Sequence, residues 1–234
     1  MARGCDRLGI TMPDAALLLA EARTLIASDD AVLKIIISRG PGGRGYRPPT
    51  AAESQPTRML ATHPWPDYPA SHSQHGIVLR YCTTSATLNP ALAGIKYLNR
   101  LEQVLARAEW HDPAIAEGVM SDMNGQVVEG TMSNLFFVRD GALHTPDLSN
   151  SGVAGIIREV ILDIAVAQNL PLYCRHYSRS DLETADEIFV TNSVIGLWPV
   201  RQLAERCYGL GKMTQQLLDG LNGKRQQKGE YEIV

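Results

Sequence analysis

Cysteine is scarce in this sequence, and the four cysteines lie far apart. They are Cys5, Cys82, Cys174 and Cys207, with no CxxC pair and no Cys/His cluster among them. This spacing excludes the disulfide framework of a small secreted protein and argues against a zinc site. It is typical of reduced thiols in a cytoplasmic protein. None of the six histidines has a ligand-like partner in sequence, so we predict no bound metal.

Long apolar runs and an excess of basic charge are also missing. No run reaches the roughly 18 apolar residues of a membrane helix, and the first residues do not lead into the apolar stretch of a signal peptide. The net charge is −3 and the basic residues are scattered, which gives no support to nucleic-acid binding. We therefore predict a cytoplasmic protein that binds neither membrane nor nucleic acid.

The sequence does contain enough apolar residues to build a core. They make up 44% of 234 positions, a length that fits one large domain or two small ones. The apolar spacing predicts helices over residues 3–8, 15–25, 98–110, 156–168 and 214–221, with a helical turn over 182–185. Strands are predicted over 31–38, 59–61, 76–84, 117–121, 127–128, 135–138, 142–144, 172–173 and 187–192, with a turn or strand over 196–200.

Two dipeptides and one proline-rich stretch indicate how these elements connect. Asn124-Gly125 and Asp140-Gly141 are hairpin turn signals between predicted strands. Residues 63–75 hold three prolines and are expected to be irregular. Because hairpins are mixed with isolated helices, the sequence predicts an α+β fold and not a doubly wound parallel sheet.

Two stretches carry residues that could serve one cofactor. Lys96 stands just before a predicted amphipathic helix, where most lysines are solvated charges. Its neighbours Gly94 and Ile95 and the apolar helix favour burial, and a desolvated lysine suits Schiff-base chemistry with an aldehyde cofactor. Glu129 ends a predicted strand and is either an ordinary surface acid or a partner for the ring nitrogen of pyridoxal phosphate (PLP).

Three other segments offer candidate binding groups. Residues 152–158 (Gly-Val-Ala-Gly-Ile-Ile-Arg) form a glycine turn into a helix, which is either a plain cap or a phosphate site. Thr191-Asn192-Ser193 ends a strand and could add donors, although such residues are also common in turns. Arg44 lies in a glycine-rich loop, residues 39–46, that is either a solvated hairpin tip or a site for a substrate carboxylate.

Together these stretches resemble the 4-amino-4-deoxychorismate lyases. That family belongs to the fold-type IV PLP group, with the branched-chain and D-amino acid aminotransferases. The lysine, glutamate and glycine-turn motifs mark the whole group, whereas two further runs point to the lyases. The matching segments are GIKYLNRLEQ (94–103), EGTMSNLF (129–136), GVAGIIR (152–158) and RGPGGRGY (39–46).

The resemblance implies an activity and a set of catalytic roles. The activity is the conversion of 4-amino-4-deoxychorismate to 4-aminobenzoate and pyruvate, a step of folate synthesis, by a homodimer that uses PLP. Lys96 would be the Schiff-base lysine and the proton shuttle, and Glu129 would pair with the pyridine nitrogen. Arg44, with Tyr46 nearby, would face a substrate carboxylate.

The resemblance also implies a phosphate site and a domain arrangement. The backbone N–H groups of Ile156 and Ile157 would hold the PLP phosphate, helped by Ser193 and Asn192. We expect a two-domain fold of the D-amino acid aminotransferase type, with an N-terminal α/β domain over 1–84, a linker over 85–93 and a PLP-binding domain over 94–234.

Relatives carry a few tens of residues before the point that matches Met1. The N-terminal domain is therefore expected to be incomplete, and a chain lacking that segment is expected to be less stable and to bind PLP more weakly. Two alternatives to the lyase stay open from the residues alone. They are an aminotransferase acting on D-amino or branched-chain amino acids, and a truncated, inactive relative.

Overall fold

The chain folds into two compact units, one over residues 1–68 and a second that begins at Pro69. The structure is a computed structural model and describes residues 1–26, 31–50 and 52–227. The domain limits inferred above, 1–84, 85–93 and 94–234, stay a prediction. No helix within the described residues has both the length and the apolar character needed to cross a membrane.

Within its described residues, the first unit consists of two helices and a β-hairpin. Helix α1 (Ala2–Leu8) ends at Gly9, and α2 (Ala15–Leu25) begins after Asp14, whose carboxylate accepts a hydrogen bond from a first-turn N–H at 2.8 Å. Strands β1 (Ala31–Ser38) and β2 (Thr57–Pro64) pair antiparallel along their whole length. The β-branched, mostly apolar sequence of β1 predicts a buried strand, but β1 is only half-buried, because within the described residues its sheet has two strands.

The described part of the second unit, residues 69–227, is built on one mixed sheet of nine strands. Its helices are α3 (Ser71–His75), α4 (Leu101–Arg107), α5 (Ile156–Ala167), α6 (Arg179–Glu183) and α7 (Lys212–Gln227). Its strands are β3 (Ile77–Tyr81), β4 (Ile115–Ser121), β5 (Val127–Gly130), β6 (Asn134–Arg139), β7 (Ala142–Pro146), β8 (Leu172–Arg175), β9 (Glu187–Asn192), β10 (Gly196–Leu203) and β11 (Arg206–Cys207).

The sheet order is β5-β4-β3-β10-β9-β6-β7-β8, with β11 paired to β10. Three neighbouring pairs are parallel (β4 with β3, β3 with β10, β7 with β8), and the other pairs are antiparallel. Hairpins join β4 to β5 and β6 to β7 at the two predicted turns, where Gly125, Asp140 and Gly141 have positive φ. The mixed pairing confirms the predicted α+β class.

Buried side chains cover both faces of this sheet. Along β6, Leu135 and Phe137 pack in one apolar cluster, whereas Phe136 packs in another, beneath α5 and α7. This alternation follows from the two-residue repeat of a strand. Phe136 stacks on Phe189 of the neighbouring strand, with ring centroids 4.9 Å apart. The double-sided burial explains why the strands are apolar runs with few polar positions.

Residues 63–75 and the start of α4 are among the regions that differ from the sequence prediction. Residues 63–75 are not wholly irregular, because β2 continues to Pro64 and α3 forms after the last proline of the stretch. Helix α4 begins at Leu101 and not at residue 98. The segment before it is held by tertiary hydrogen bonds, from Gly94 N to Gly152 O at 2.9 Å and from Ala154 N to Gly94 O at 3.1 Å.

Helix α4 turns its apolar face outward. Gln103 and Ala106 are its buried residues, and the opposite side exposes large apolar side chains at helical spacing. We call this surface the α4 apolar face; it comprises Leu98, Leu101, Val104 and Leu105, each more than 60% exposed.

Candidate active site

Glu129 is a buried acid near the end of β5, with 3% of its surface exposed. One of its oxygens, Oε2, accepts a hydrogen bond from Val153 N at 2.8 Å, and the other lies 3.3 Å from the Arg100 guanidinium. Burial raises the pKa of Glu129 to about 7, against the lowering effects of Val153 N–H and Arg100 and with a further rise from the charge of Glu117. This carboxyl group therefore takes up and releases a proton near neutral pH.

Glu117 of β4 organises the turn that follows Glu129. It is 1% exposed, and its two oxygens accept hydrogen bonds from the backbone of Gly118, Thr131 and Met132 and from the hydroxyls of Thr131 and Ser133, at 2.5 to 3.1 Å. Dipoles from N–H and O–H groups thus stabilise this buried charge.

The glycine turn, residues 152–155, lies against Glu129 and leads into α5. Gly152 has φ 82°, and a Cβ there would lie 2.8 Å from Leu148 and Val128 side chains. Asn134 holds the end of the turn, because its Nδ2 donates to Val153 O at 2.7 Å and its Oδ1 accepts from Gly155 N at 3.1 Å. The close packing at Gly152 and the two hydrogen bonds of Asn134 together fix the backbone of this turn.

The first turn of α5 offers free backbone donors. Gly155 is the residue before the helix and makes no side-chain cap. The first N–H groups of a helix have no intrahelical partner, and the helix dipole adds positive potential there. Ile156 and Ile157 are the first two residues of α5, and Ile156 is 41% exposed. An anion could therefore bind at this end of α5.

Lys96 is tied to the glycine turn through its own segment. The hydrogen bonds between Gly94 and the 152–154 backbone form a short parallel bridge, two residues before the lysine. Ile95 is buried, but the Lys96 side chain is exposed. The expected burial of Lys96 is thus not found, since residues 96–100 are not helical and do not pack the lysine into the core.

The two polar residues at the end of β9, Asn192 and Ser193, differ in their hydrogen bonding. Asn192 Oδ1 accepts from the N–H groups of Val194 and Ile195 at 2.8 and 2.9 Å, and its Nδ2 donates to Met132 O at 3.1 Å. These hydrogen bonds stabilise the β9–β10 turn and connect it to the turn after Glu129. They use both the oxygen and the nitrogen of the Asn192 side-chain amide. Ser193 is exposed.

Arg44 and Tyr46 belong to the first unit and are both exposed. Their roles toward substrate stay a prediction. A different arginine of the same loop has a structural task, because the Arg39 guanidinium donates to the carbonyls of Leu8 and Gly9 at the end of α1.

The second unit thus brings together the Lys96 segment, Glu129 and the glycine turn, and the β9–β10 turn adjoins them through Met132. Sequence reasoning did not assign Arg100 or Glu117. A signal for Glu117 was available, since an acid inside an apolar strand pattern needs several donors to be buried. Within the described residues, no cluster of three or more His, Cys, Asp or Glu side chains could hold a metal ion.

Comparison with known proteins places these features in a family. The chain is 34% identical to aminodeoxychorismate lyase of Vibrio harveyi, over 92% of this chain and 80% of the relative. It is 32% identical to branched-chain-amino-acid aminotransferase of Escherichia coli K12, over 82% of this chain but only 64% of that enzyme.

Among solved structures, 4-amino-4-deoxychorismate lyase from Pseudomonas aeruginosa superposes with a TM-score of 0.90 and 47% identity, covering 95% of this chain and 82% of that one. This likeness confirms the fold-type IV architecture expected from the sequence. The family model described as amino-transferase class IV matches residues 1–203. The chain therefore belongs to the amino-transferase class IV family.

Proposed function

We propose that this protein is a PLP-dependent lyase that converts 4-amino-4-deoxychorismate to 4-aminobenzoate and pyruvate. Two of the relatives reported above carry that activity in their names. The observation that carries the proposal is the convergence, in one unit, of the Lys96 segment, the buried acid Glu129 and a glycine turn at a helix N-terminus.

The residues present fit PLP, on which enzymes of this family generally depend. A carboxylate has about four acceptor positions, and Glu129 uses two of them for Val153 and Arg100. It can therefore accept a further hydrogen bond from a ring nitrogen. The free N–H groups of Ile156 and Ile157 suit a phosphate. Ser193 follows β9, whose Thr191 pairs with Asn134, the residue that holds the glycine turn, and Asn192 fixes the β9–β10 turn that carries Ser193.

When bound, PLP supplies an electron sink next to the substrate amine. Lys96 would hold the cofactor through its aldehyde carbon. Once freed by the substrate amine, the Lys96 amine would take the proton from the amine-bearing ring carbon of the substrate. Glu129, as a carboxylate, would pair with the ring nitrogen and keep it protonated. The ether C–O bond would then break, and the enolpyruvyl group would take up a proton and leave as pyruvate. Arg44 and Tyr46 are assigned to a substrate carboxylate.

The test is to incubate the purified chain with PLP and 4-amino-4-deoxychorismate and to measure both products. We expect 4-aminobenzoate and pyruvate in equal amounts, and borohydride should attach the cofactor to the peptide containing Lys96. Lys96→Ala should abolish both results. Lys212→Ala is the matched control, because Lys212 is an exposed lysine at the start of α7.

Other results would overturn the proposal. Accumulation of the pyridoxamine form with an amino acid, without pyruvate release from aminodeoxychorismate, would identify an aminotransferase. Absence of bound cofactor with PLP in excess would identify an inactive relative.

We also propose that the protein is a homodimer, as the resemblance implies. The α4 apolar face supports this proposal, because soluble monomers rarely expose several adjacent large apolar side chains. The double change of Leu101→Glu with Leu105→Glu should produce a monomer in light scattering. Leu210→Glu, at a leucine 54% exposed away from this face, should leave the dimer intact. A wild-type monomer at all concentrations would refute the proposal.

A cytoplasmic location is proposed as well. It is supported by four free thiols, two of them exposed, since such thiols persist in reducing compartments. Fractionation of cells that produce the full-length protein would test it, and recovery in an extracellular or membrane fraction would refute it.

A further inference from the structure

Two charges of opposite sign act on the Glu129 carboxyl group. Arg100, in the segment before α4, lies 3.3 Å from one of its oxygens, and the negative charge of Glu117, on β4, raises its pKa. The 152–155 turn donates the Val153 N–H to the Glu129 carboxyl group, and this turn contains no charged side chain. Lys96 lies in the Arg100 segment but is exposed.

Arg100 is held in place more firmly than a surface arginine. Its side chain is 25% exposed and that of Glu129 is 4% exposed. The Arg100 guanidinium also lies over the Tyr97 ring, 5.8 Å from the ring centroid. A stacked, partly desolvated guanidinium keeps its geometry and interacts with a carboxylate more strongly than an exposed one does.

We propose that Arg100 is a positioning residue whose guanidinium orients the Glu129 side chain and favours its ionised form, in opposition to the buried charge of Glu117. The role rests on the proposed function, since an ionised Glu129 is what a protonated ring nitrogen requires. Arg100 itself is not assigned a contact with cofactor or substrate.

The argument follows from burial. A carboxyl group at 3% exposure favours its neutral form, and the negative charge of Glu117 adds to that preference. Two groups oppose it, the Val153 N–H and Arg100. Only proline would remove the Val153 N–H, and it would also restrict the backbone of the turn, so Arg100 is the better of these two groups to test by a point change.

The first experiment uses the cofactor-free chain. The carboxyl carbon of Glu129 is followed by ¹³C NMR against pH, with its resonance assigned from its loss in Glu129→Gln. Arg100→Met should raise the pKa of Glu129 by roughly 1 to 3, the effect of an opposite charge within a few ångströms. Arg100→Lys should restore most of the wild-type value. Arg201→Met, at an exposed arginine of β10, should leave it unchanged.

A second variant tests the opposing charge. Glu117→Gln should lower the pKa of Glu129, so the two substitutions are expected to move it in opposite directions. A general loss of structure does not produce shifts of opposite sign. If Glu117→Gln fails to fold, the Arg100 series decides by itself.

In the loaded enzyme, the acidic limb of the plot of kcat against pH should move upward in Arg100→Met by the amount measured by NMR. An unchanged pKa of Glu129 in Arg100→Met would overturn the proposal. So would a raised KM with an unchanged pH profile, since Arg100 would then be a substrate contact. If the wild type binds no cofactor and yet Arg100→Met shifts the pKa, the pairing is supported and the lyase function is overturned instead.

Discussion

The most direct consequence of the site is that Glu129 should destabilise the cofactor-free protein. Its pKa rises from the ordinary 4.5 to about 7 in the folded chain. A group whose folded pKa is raised stabilises the fold fully below its unfolded pKa, and that contribution is lost as the pH rises through the folded pKa. The window of lost stability therefore extends from about pH 4.5 to somewhat above pH 7.

The size of the effect follows from the same two values. Each tenfold change in proton affinity corresponds to about 1.4 kcal/mol, so a rise from 4.5 to about 7 corresponds to about 3 kcal/mol at alkaline pH. Between about pH 5 and pH 8, ionisation of Glu129 should lower the free energy of unfolding of the wild type by roughly 2.5 kcal/mol. Glu129→Gln has no ionisable group at this position and should not show this loss. Glu129→Gln should thus be inactive and, at about pH 8, more stable than the wild type.

The assay is urea unfolding of the cofactor-free chains across this pH range, with the free energy of unfolding compared between wild type and Glu129→Gln. The difference between the two should grow with pH. Glu159→Gln, on the half-buried side of α5, serves as a control for the loss of one carboxylate. Parallel pH profiles for wild type and Glu129→Gln would refute the reasoning, because they would mean that burial does not penalise this charge.

Three further substitutions test the packing around the site and the first unit. In Gly155→Ala the new Cβ would lie 2.3 Å from Asn134 Oδ1, so urea unfolding should show a loss of about 1–3 kcal/mol and PLP titration a weaker affinity. Gly209→Ala, with nothing within 4 Å, should change neither. Glu117→Leu leaves the donors of its turn unpaired and should cost about 2–4 kcal/mol in the same assay. Asp14→Ala removes the cap of α2 and should cost about 1 kcal/mol, and a thermal midpoint unchanged in Asp14→Ala would contradict the capping role.

Local sequence signals were sufficient for much of the fold. The Asp140-Gly141 pair predicted its hairpin because both residues adopt positive φ there, a conformation that few other dipeptides allow. Residues 187–192 were predicted as a strand with the observed limits. The start of α4 was misplaced because the spacing of apolar residues carries no information about the tertiary bonds that hold residue 94.

The site was predictable only as separate parts. The sequence suggested that Lys96 and Glu129 act together, and the fold brings their segments together through the glycine turn. Arg100 and Glu129 are 29 residues apart, and their ion pair depends on the position of β5 beside the segment before α4. The outward direction of the α4 apolar face also depends on which side packs on β4. Such relations arise from chain topology and not from any local pattern.

The short bridge between Gly94 and Val153 has a consequence for local unfolding. Its two amide donors, Gly94 and Ala154, belong to segments about 60 residues apart in sequence, and each bond positions the other. Opening one should expose both, so these amides should exchange with deuterium at a common rate, as one cooperative unit. A ligand that binds only at the α5 end should then slow exchange at Gly94 as well, and the lysine-bearing segment would become ordered before any bond to Lys96 forms.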